Sequence, residues 1–321
     1  MAEPSHISIP AALCGLAAIG LSGILSAQDG SVRTTSHNEV RLSRTPDGRP
    51  NLQGTWNNST QTPLQRPVAL GMKQFYTDGE LAHVRPANHD EDPAQGDPGT
   101  YNQFWWEQGE FLRQTSLIVD PPDGRIPPLT ADGARRRAAR QARDPERFDS
   151  VEDLNLSERC ITRGAPKLPG GYNNNFLIVQ TPEYVVLMQE MIHEARIIPL
   201  DGRPHLPSSV RGYLGDSRGR WEGDTLVVET TNFNEKIDQT SYNCCGGATA
   251  NLKAVERFRL ADADTIDYRY TVDDPSTFTR PWTASVPMKR APGPLYEYAC
   301  HEGNYSVEGI LRGARAREKK D

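Results

Sequence analysis

From residue 175 onward, apolar and polar positions alternate in short runs, the period of two expected of strands that bury one face. The runs are NFLIVQT (175–181), EYVVLMQEMIHEARIIPL (183–200), GRWEGDTLVVETTNF (219–233), LKAVERFRLADADTIDYRYTV (252–272), RPWTASVPM (280–288) and LYEYACHE (295–302). They are rich in β-branched and aromatic residues and are broken by turn signals such as Pro-Leu-Asp-Gly, Glu-Gly-Asp and Ala-Asp-Ala-Asp. About eight strands in series with hairpin-length breaks predict a mainly β fold, an antiparallel barrel or strongly curved sheet with a few peripheral helices. Helices do not alternate with strands, which argues against a parallel α/β sheet.

Upstream the pattern is sparser. Residues 45–150 read as N-terminal strands, a long loop and a helix packing on the barrel, and residues 151–321 as the main barrel with a C-terminal helix. LQGTW (52–56) and TSLIVD (115–120) are the clearest early strands, 78–100 a long loop, and 101–112 an aromatic cover. Residues 130–148 are rich in Ala and Arg and form a helix with Thr130 or Asp132 as cap. Val307, Ile310, Leu311 and Ala314 mark one face of a terminal helix. Asp-Gly-Arg recurs in TPDGRPNL (45–52), PPDGRIPPL (121–129) and PLDGRPHL (199–206), too far apart for a solenoid repeat. Asp-Gly supplies the positive φ of a tight turn, so the recurrence is turn chemistry, with Arg49, Arg125 and Arg203 placed to staple nearby carboxylates.

The 321 residues are 36% apolar, with 25 prolines, 27 glycines and a net charge of −6, a balance that excludes a general nucleic-acid binder. Residues 7–27 are the one long apolar run and end in Ser26-Ala27, the form of an export signal, with an uncleaved anchor as the other reading. Residues 28–44 are a polar, flexible lead-in. The chain beyond them is expected to be periplasmic or secreted, with no integral membrane domain after signal removal. Four cysteines remain outside the signal: Cys160, Cys244, Cys245 and Cys300. An oxidising compartment makes them disulfide partners, with Cys160 and Cys300 each joined to the adjacent pair or bridged to one another.

Residues two apart on a strand share a face. If 185–197 is one strand, Val185, Leu187, Gln189, Met191, His193, Ala195 and Ile197 share the apolar side, opposite Glu190, Glu194 and Arg196. Leu252, Ala254, Glu256, Phe258 and Leu260 share another apolar face, and Glu297, Ala299 and His301 a third. A buried carboxylate must be paired, and an imidazole both satisfies it and is tuned by it as a general base. His193 with Glu256 and His301 with Glu297 are therefore the candidate acid–base pairs. His193, Glu256 and His301 are the expected catalytic groups, and Arg196, Glu297, Tyr298 and Trp106 the expected substrate contacts. The other reading of these residues is a satisfied structural network that includes Arg196 or Arg218. No HxH or HExxH spacing supports a metal at His193, His205 and His301, GDSRGRW (215–221) lacks the GxSxG elbow, and CCGGATAN (244–251) lacks a phosphate-loop lysine. No cofactor is expected.

Together TPDGRPNLQGTW, TSLIVDPPDGRIPPLT, MIHEARIIPLDGRPH, LGDSRGRWEGDTLVVETTNF, VERFRLADADTIDYRYTVDDPSTFTRPW and YEYACHEGNY resemble a family of exported bacterial proteins of acidobacteria and some proteobacteria. The resemblance runs from about 45 to 316; it implies export and a shared fold and carries no catalytic residue. By analogy the barrel is similar to lipocalin-like folds. Two functions follow from the residues: an exported small-molecule enzyme of lyase, dehydratase, isomerase or hydrolase type on a mostly apolar substrate, or a binding protein for an apolar small molecule. The implied partner is a small molecule rather than nucleic acid, and the sequence leaves the oligomeric state open.

Overall fold

Alternation becomes structure wherever a run finds a neighbour on each side. In the computed structural model, which describes residues 42–84, 107, 109–143, 147–239 and 247–319, eleven strands form one antiparallel sheet. They are β1 (Gly54–Asn57), β2 (Ile118–Asp120), β3 (Asn175–Gln180), β4 (Tyr184–Gln189), β5 (Ala195–Pro199), β6 (Asp216–Glu222), β7 (Thr225–Thr231), β8 (Lys253–Leu260), β9 (Thr265–Asp273), β10 (Trp282–Ser285) and β11 (Met288–Arg290). The export segment, the lead-in as far as residue 41, Trp105, Trp106, Cys244 and Cys245 lie outside the described residues.

The order is β5-β4-β3-β1-β11-β9-β8-β7-β6, with β10 pairing β9 and β2. The N-terminal segment is therefore woven into the sheet, because β1 lies between β3 and β11. The two margins meet at Gly219 of β6, where a Cβ would stand 2.6 Å from Leu200 Cδ2 and 2.8 Å from Ile198 Cγ2 beside β5. That approach nearly closes the sheet into a barrel. Inside lie Trp56, Ile178, Leu187, Ile198, Leu226, Tyr270 and Trp282, all fully buried.

Three α-helices accompany the sheet among the described residues: α1 (Asp78–Leu81), α2 (Ala131–Gln141) and α3 (Ser306–Arg317). None is long and apolar enough to cross a membrane. Thr130 caps α2, accepting from the Gly133 amide at 3.0 Å. The three Asp-Gly-Arg sites are turns, with Gly48, Gly124 and Gly202 at φ 82°, 70° and 75°. Among the described residues only Arg203 of these arginines staples a carboxylate, that of Asp201 in its own turn. Arg125 donates to the Arg66 carbonyl at 2.9 Å, and the Arg49 guanidinium stands 5.8 Å from the Trp221 ring centroid.

Two expectations are corrected. The run 183–200 is two strands, not one: β4 and β5 are joined by a five-residue reversal containing a 3-10 turn, Met191–His193. The reversal exchanges faces, so Arg196 and Ile198 point inward and Ile197 outward, 65% exposed. LYEYACHE forms no strand. Pro292 and Pro294 lack the amides a ladder needs, and the Cys160–Cys300 disulfide, Cα–Cα 5.7 Å, draws this segment to the loop before β3. That bridge is one of the pairings the sequence left open.

Gly219 generates a stability test. Gly219→Val should destabilise the fold by about 1–3 kcal/mol through overpacking against Ile198 and Leu200, read as a lower midpoint in urea unfolding with the native spectrum retained.

Candidate active site at one end of the barrel

Two polar assemblies interrupt the apolar interior. The first spans the barrel. Arg196 on β5 donates two parallel bonds to Glu256 on β8, Nη1 to Oε2 at 2.5 Å and Nη2 to Oε1 at 2.9 Å, and Tyr268 Oη on β9 donates to Oε1 at 2.7 Å. All three side chains are buried. Phe258 stacks on Tyr268 at 4.6 Å between centroids, and Tyr270, Trp282 and Phe278 continue the aromatic series. Burial and the Glu256 carboxylate push the Tyr268 phenol well up, so it stays a donor. Burial would lower the Arg196 guanidinium, but Glu256 outweighs it and the net shift is upward. This assembly is a desolvated ion pair in the apolar interior, with Arg196 Nε buried and without a partner.

The second assembly gathers where β1 ends and β3 begins, and where β4 turns into β5; Asn57 pairs with Asn175, Phe176 with Gln189, and Met188 with Ala195. The β4–β5 reversal holds Ile192 at φ 63° and His193 at φ 56°, two consecutive left-handed residues, one of them β-branched. Such residues cost on the order of 1–3 kcal/mol each and persist where the surroundings impose them. Here Glu190 accepts from the Asn175 amide and side chain at 3.1 and 2.9 Å, and Met191 is buried. Glu194 accepts from Thr162 Oγ1 at 3.0 Å and the Arg163 amide at 3.1 Å. Burial raises the Glu194 carboxyl above the usual range, against the opposing pull of these bonds.

Lys167 enters from the loop between Cys160 and β3. Its Nζ is buried, donates to the Asn173 carbonyl at 2.5 Å and stands 5.4 Å from the Phe176 ring centroid. It belongs to no ion pair among the described residues. Burial first, and the Arg163 cation second, bring the amine down to about 7. The carboxylates that act on it are otherwise engaged: Glu107 accepts from Asn57 Nδ2 and Asn174 Nδ2 at 3.0 Å each and from the Asn173 amide at 2.6 Å. Asn173 is itself left-handed, at φ 54°, a conformation asparagine tolerates better than most residues.

The structure separates the pairs expected from the sequence. Both oxygens of Glu256 are taken by Arg196 and Tyr268, and His193, in the reversal rather than on a strand, leaves Nδ1 buried without a partner. His301 and Glu297 are exposed on an irregular segment, so they form no facing pair; Tyr298 beside them is half-buried. Arg196 is inward as a partner of Glu256. Trp106 lies outside the described residues. A histidine–carboxylate pair does form elsewhere, His205 Nδ1 to Asp216 Oδ2 at 2.8 Å, with Arg218 Nη1 2.6 Å from Asp216 Oδ1; it fastens the 200–215 loop to the polar face of β6. No group of three histidine, cysteine, aspartate or glutamate side chains is placed to hold a metal among the described residues.

Sequence reasoning passed over Lys167. The signals beside it were a lone lysine in a Pro-Gly loop next to Cys160 and the run Asn173-Asn174-Asn175, a string of amides able to occupy nearby carboxylates. Glu190 and Glu194 were legible as ionisable residues opposite His193, but their convergence depends on the reversal. Compared with known proteins, the chain matches no family model, no curated protein and no solved structure.

Two stability outcomes follow. Glu256→Ala strands a buried guanidinium and should cost about 3–5 kcal/mol, whereas Arg196→Met with Glu256→Leu together should cost far less; chemical denaturation of the three proteins compares them. Below pH 7 Lys167 is protonated folded and unfolded and its burial opposes folding in full; above its ordinary value of 10.5 it is neutral in both. Between these, the unfolded chain holds more protons, so its contribution to stability rises with pH. Lys167→Met should remove that rise, measured as the difference between the two proteins' unfolding free energies across pH 6–11.

Proposed function

We propose that the protein is an exported acid–base enzyme that acts on a small molecule at the barrel end formed by Lys167, Glu194 and His193. The carrying observation is the Lys167 amine, buried without a carboxylate partner among the described residues and brought to about 7. General catalysis works best with groups that titrate near the operating pH. Burial moves Lys167 down and Glu194 up, so a base and an acid approach neutrality from opposite sides around Arg163. The unpaired His193 Nδ1 adds a polar contact, and the left-handed residues beside it are the kind of stored strain found at working sites.

In this reading Lys167 takes a proton from carbon or oxygen and Glu194, in its protonated form, returns one, the pattern of a lyase, dehydratase or isomerase. Phe176 and Met191 supply apolar wall, consistent with a mostly apolar substrate. Glu256 and Arg196 act through the fold rather than on substrate. Export is part of the proposal and is supported by the apolar run at 7–27, the motif resemblance to exported bacterial proteins and the Cys160–Cys300 bridge. A carrier for an apolar small molecule is the second reading.

The test incubates substoichiometric protein with small-molecule extract from its source environment, followed by untargeted mass spectrometry. A compound consumed well beyond one equivalent, with a new mass appearing, is expected. Lys167→Met and Glu194→Gln should each slow that loss by about 10²-fold or more. Depletion that halts near one equivalent and reverses on denaturation would establish the carrier instead.

A further inference from the structure

The bonding around Lys167 is unusual for a structural lysine. A buried ammonium ordinarily sits against a carboxylate, because its three N–H donors and its charge must all be answered. Here one neutral acceptor, the Asn173 carbonyl, is in reach. The face of Phe176 gives a cation partial compensation at 5.4 Å, less than a carboxylate would. Two acids act on the amine, and both are held by asparagines. Glu107 is bound by Asn57, Asn173 and Asn174, and Glu190 by Asn175. A loop that needed a salt bridge has the carboxylates at hand and directs them elsewhere. What is left is an amine with an apolar ring beside it, on the same loop whose Arg163 amide donates to Glu194.

We propose that Lys167 is a Schiff-base nucleophile and that the substrate is an aldehyde or ketone with an apolar arm. The inference rests on the acid–base reading of the same barrel end and deepens it by naming the substrate class and by making Lys167 the nucleophile in place of the base. The Nζ lone pair forms a bond to the carbonyl carbon while the carbonyl π pair moves to oxygen, which takes up a proton. Nitrogen then loses a proton, giving a neutral carbinolamine. The carbon–oxygen bond breaks with its electron pair on oxygen, which takes up a proton from solvent and leaves as water. The nitrogen lone pair closes the C=N⁺ bond. In sum, amine, carbonyl and one proton give iminium and water, with no change of oxidation state. The iminium then draws electrons from the adjacent carbon, which is what a lyase or isomerase acting on a carbonyl compound requires.

Two reagents on the intact purified protein test this. Propanal with cyanoborohydride at pH 7 reduces any imine to a stable propyl-lysine, located by peptide mass spectrometry. Acetic anhydride, applied across pH 6–11, reports where each amine becomes neutral. Propylation at Lys167 is expected to exceed that at Lys289 by at least about tenfold, since an exposed lysine is almost wholly protonated at pH 7. Lys167→Met should lose that adduct and keep the others. Acetylation of Lys167 should have its midpoint near pH 7. If acetylation does so but no propyl adduct forms, the Schiff-base role is wrong and the acid–base reading survives. If Lys167 acetylates like Lys289, or neither reagent reaches it in the folded protein, both are overturned.

Discussion

The Arg196–Glu256 pair crosses the interior from a marginal strand to β8, and much of the barrel is arranged to keep it dry. Neither charge is tolerable alone in that setting. Tyr268 satisfies a remaining carboxylate lone pair, and Phe258, Tyr270 and Trp282 exclude water around it. For Arg196 to face inward, the chain must reverse between Gln189 and Ala195 and begin β5 on the opposite face. That reversal carries Ile192 and His193 into left-handed backbone and turns Glu194 toward Thr162 and Arg163. The barrel-end site is thus a geometric consequence of how the ion pair is housed.

At that end the electrostatics are set by which donors reach the acids first. Backbone and side-chain amides of Asn173, Asn174 and Asn175 claim Glu107 and Glu190, and the Cys160–Cys300 bridge anchors the loop that presents Lys167. An amide donates without cancelling charge, so the carboxylates keep their field while withholding direct contact. Lys167 is left with burial and a neighbouring guanidinium, both of which favour the neutral amine.

Parts of this were legible in one dimension. The alternation in LKAVERFRL placed Glu256 inside, and β8 buries Ala254, Glu256, Phe258 and Leu260. The Asp-Gly-Arg turns followed from glycine's access to positive φ, and the Thr130 cap from a hydroxyl ahead of a helix-forming run. Pairing was harder. Alternation says that a carboxylate points inward but not what meets it there, and the partner of Glu256 lies sixty residues away on another strand.

The sequence by itself determined a mainly β chain, its turns, and the inward side of most strands, because these depend on local propensity and a period of two. Only the tertiary structure decided that 183–200 is a hairpin, that LYEYACHE stays irregular, and that Cys160 meets Cys300. It likewise decided that Arg196 rather than His193 answers Glu256, and that Lys167 is left without a carboxylate among the described residues. A two-residue period continues on paper through residues 190–194, and nothing local marks the reversal: no glycine or proline stands there. The reversal is imposed from outside, by Asn175 holding Glu190 and by Glu256 waiting across the barrel, and long-range partners leave no trace in a local pattern.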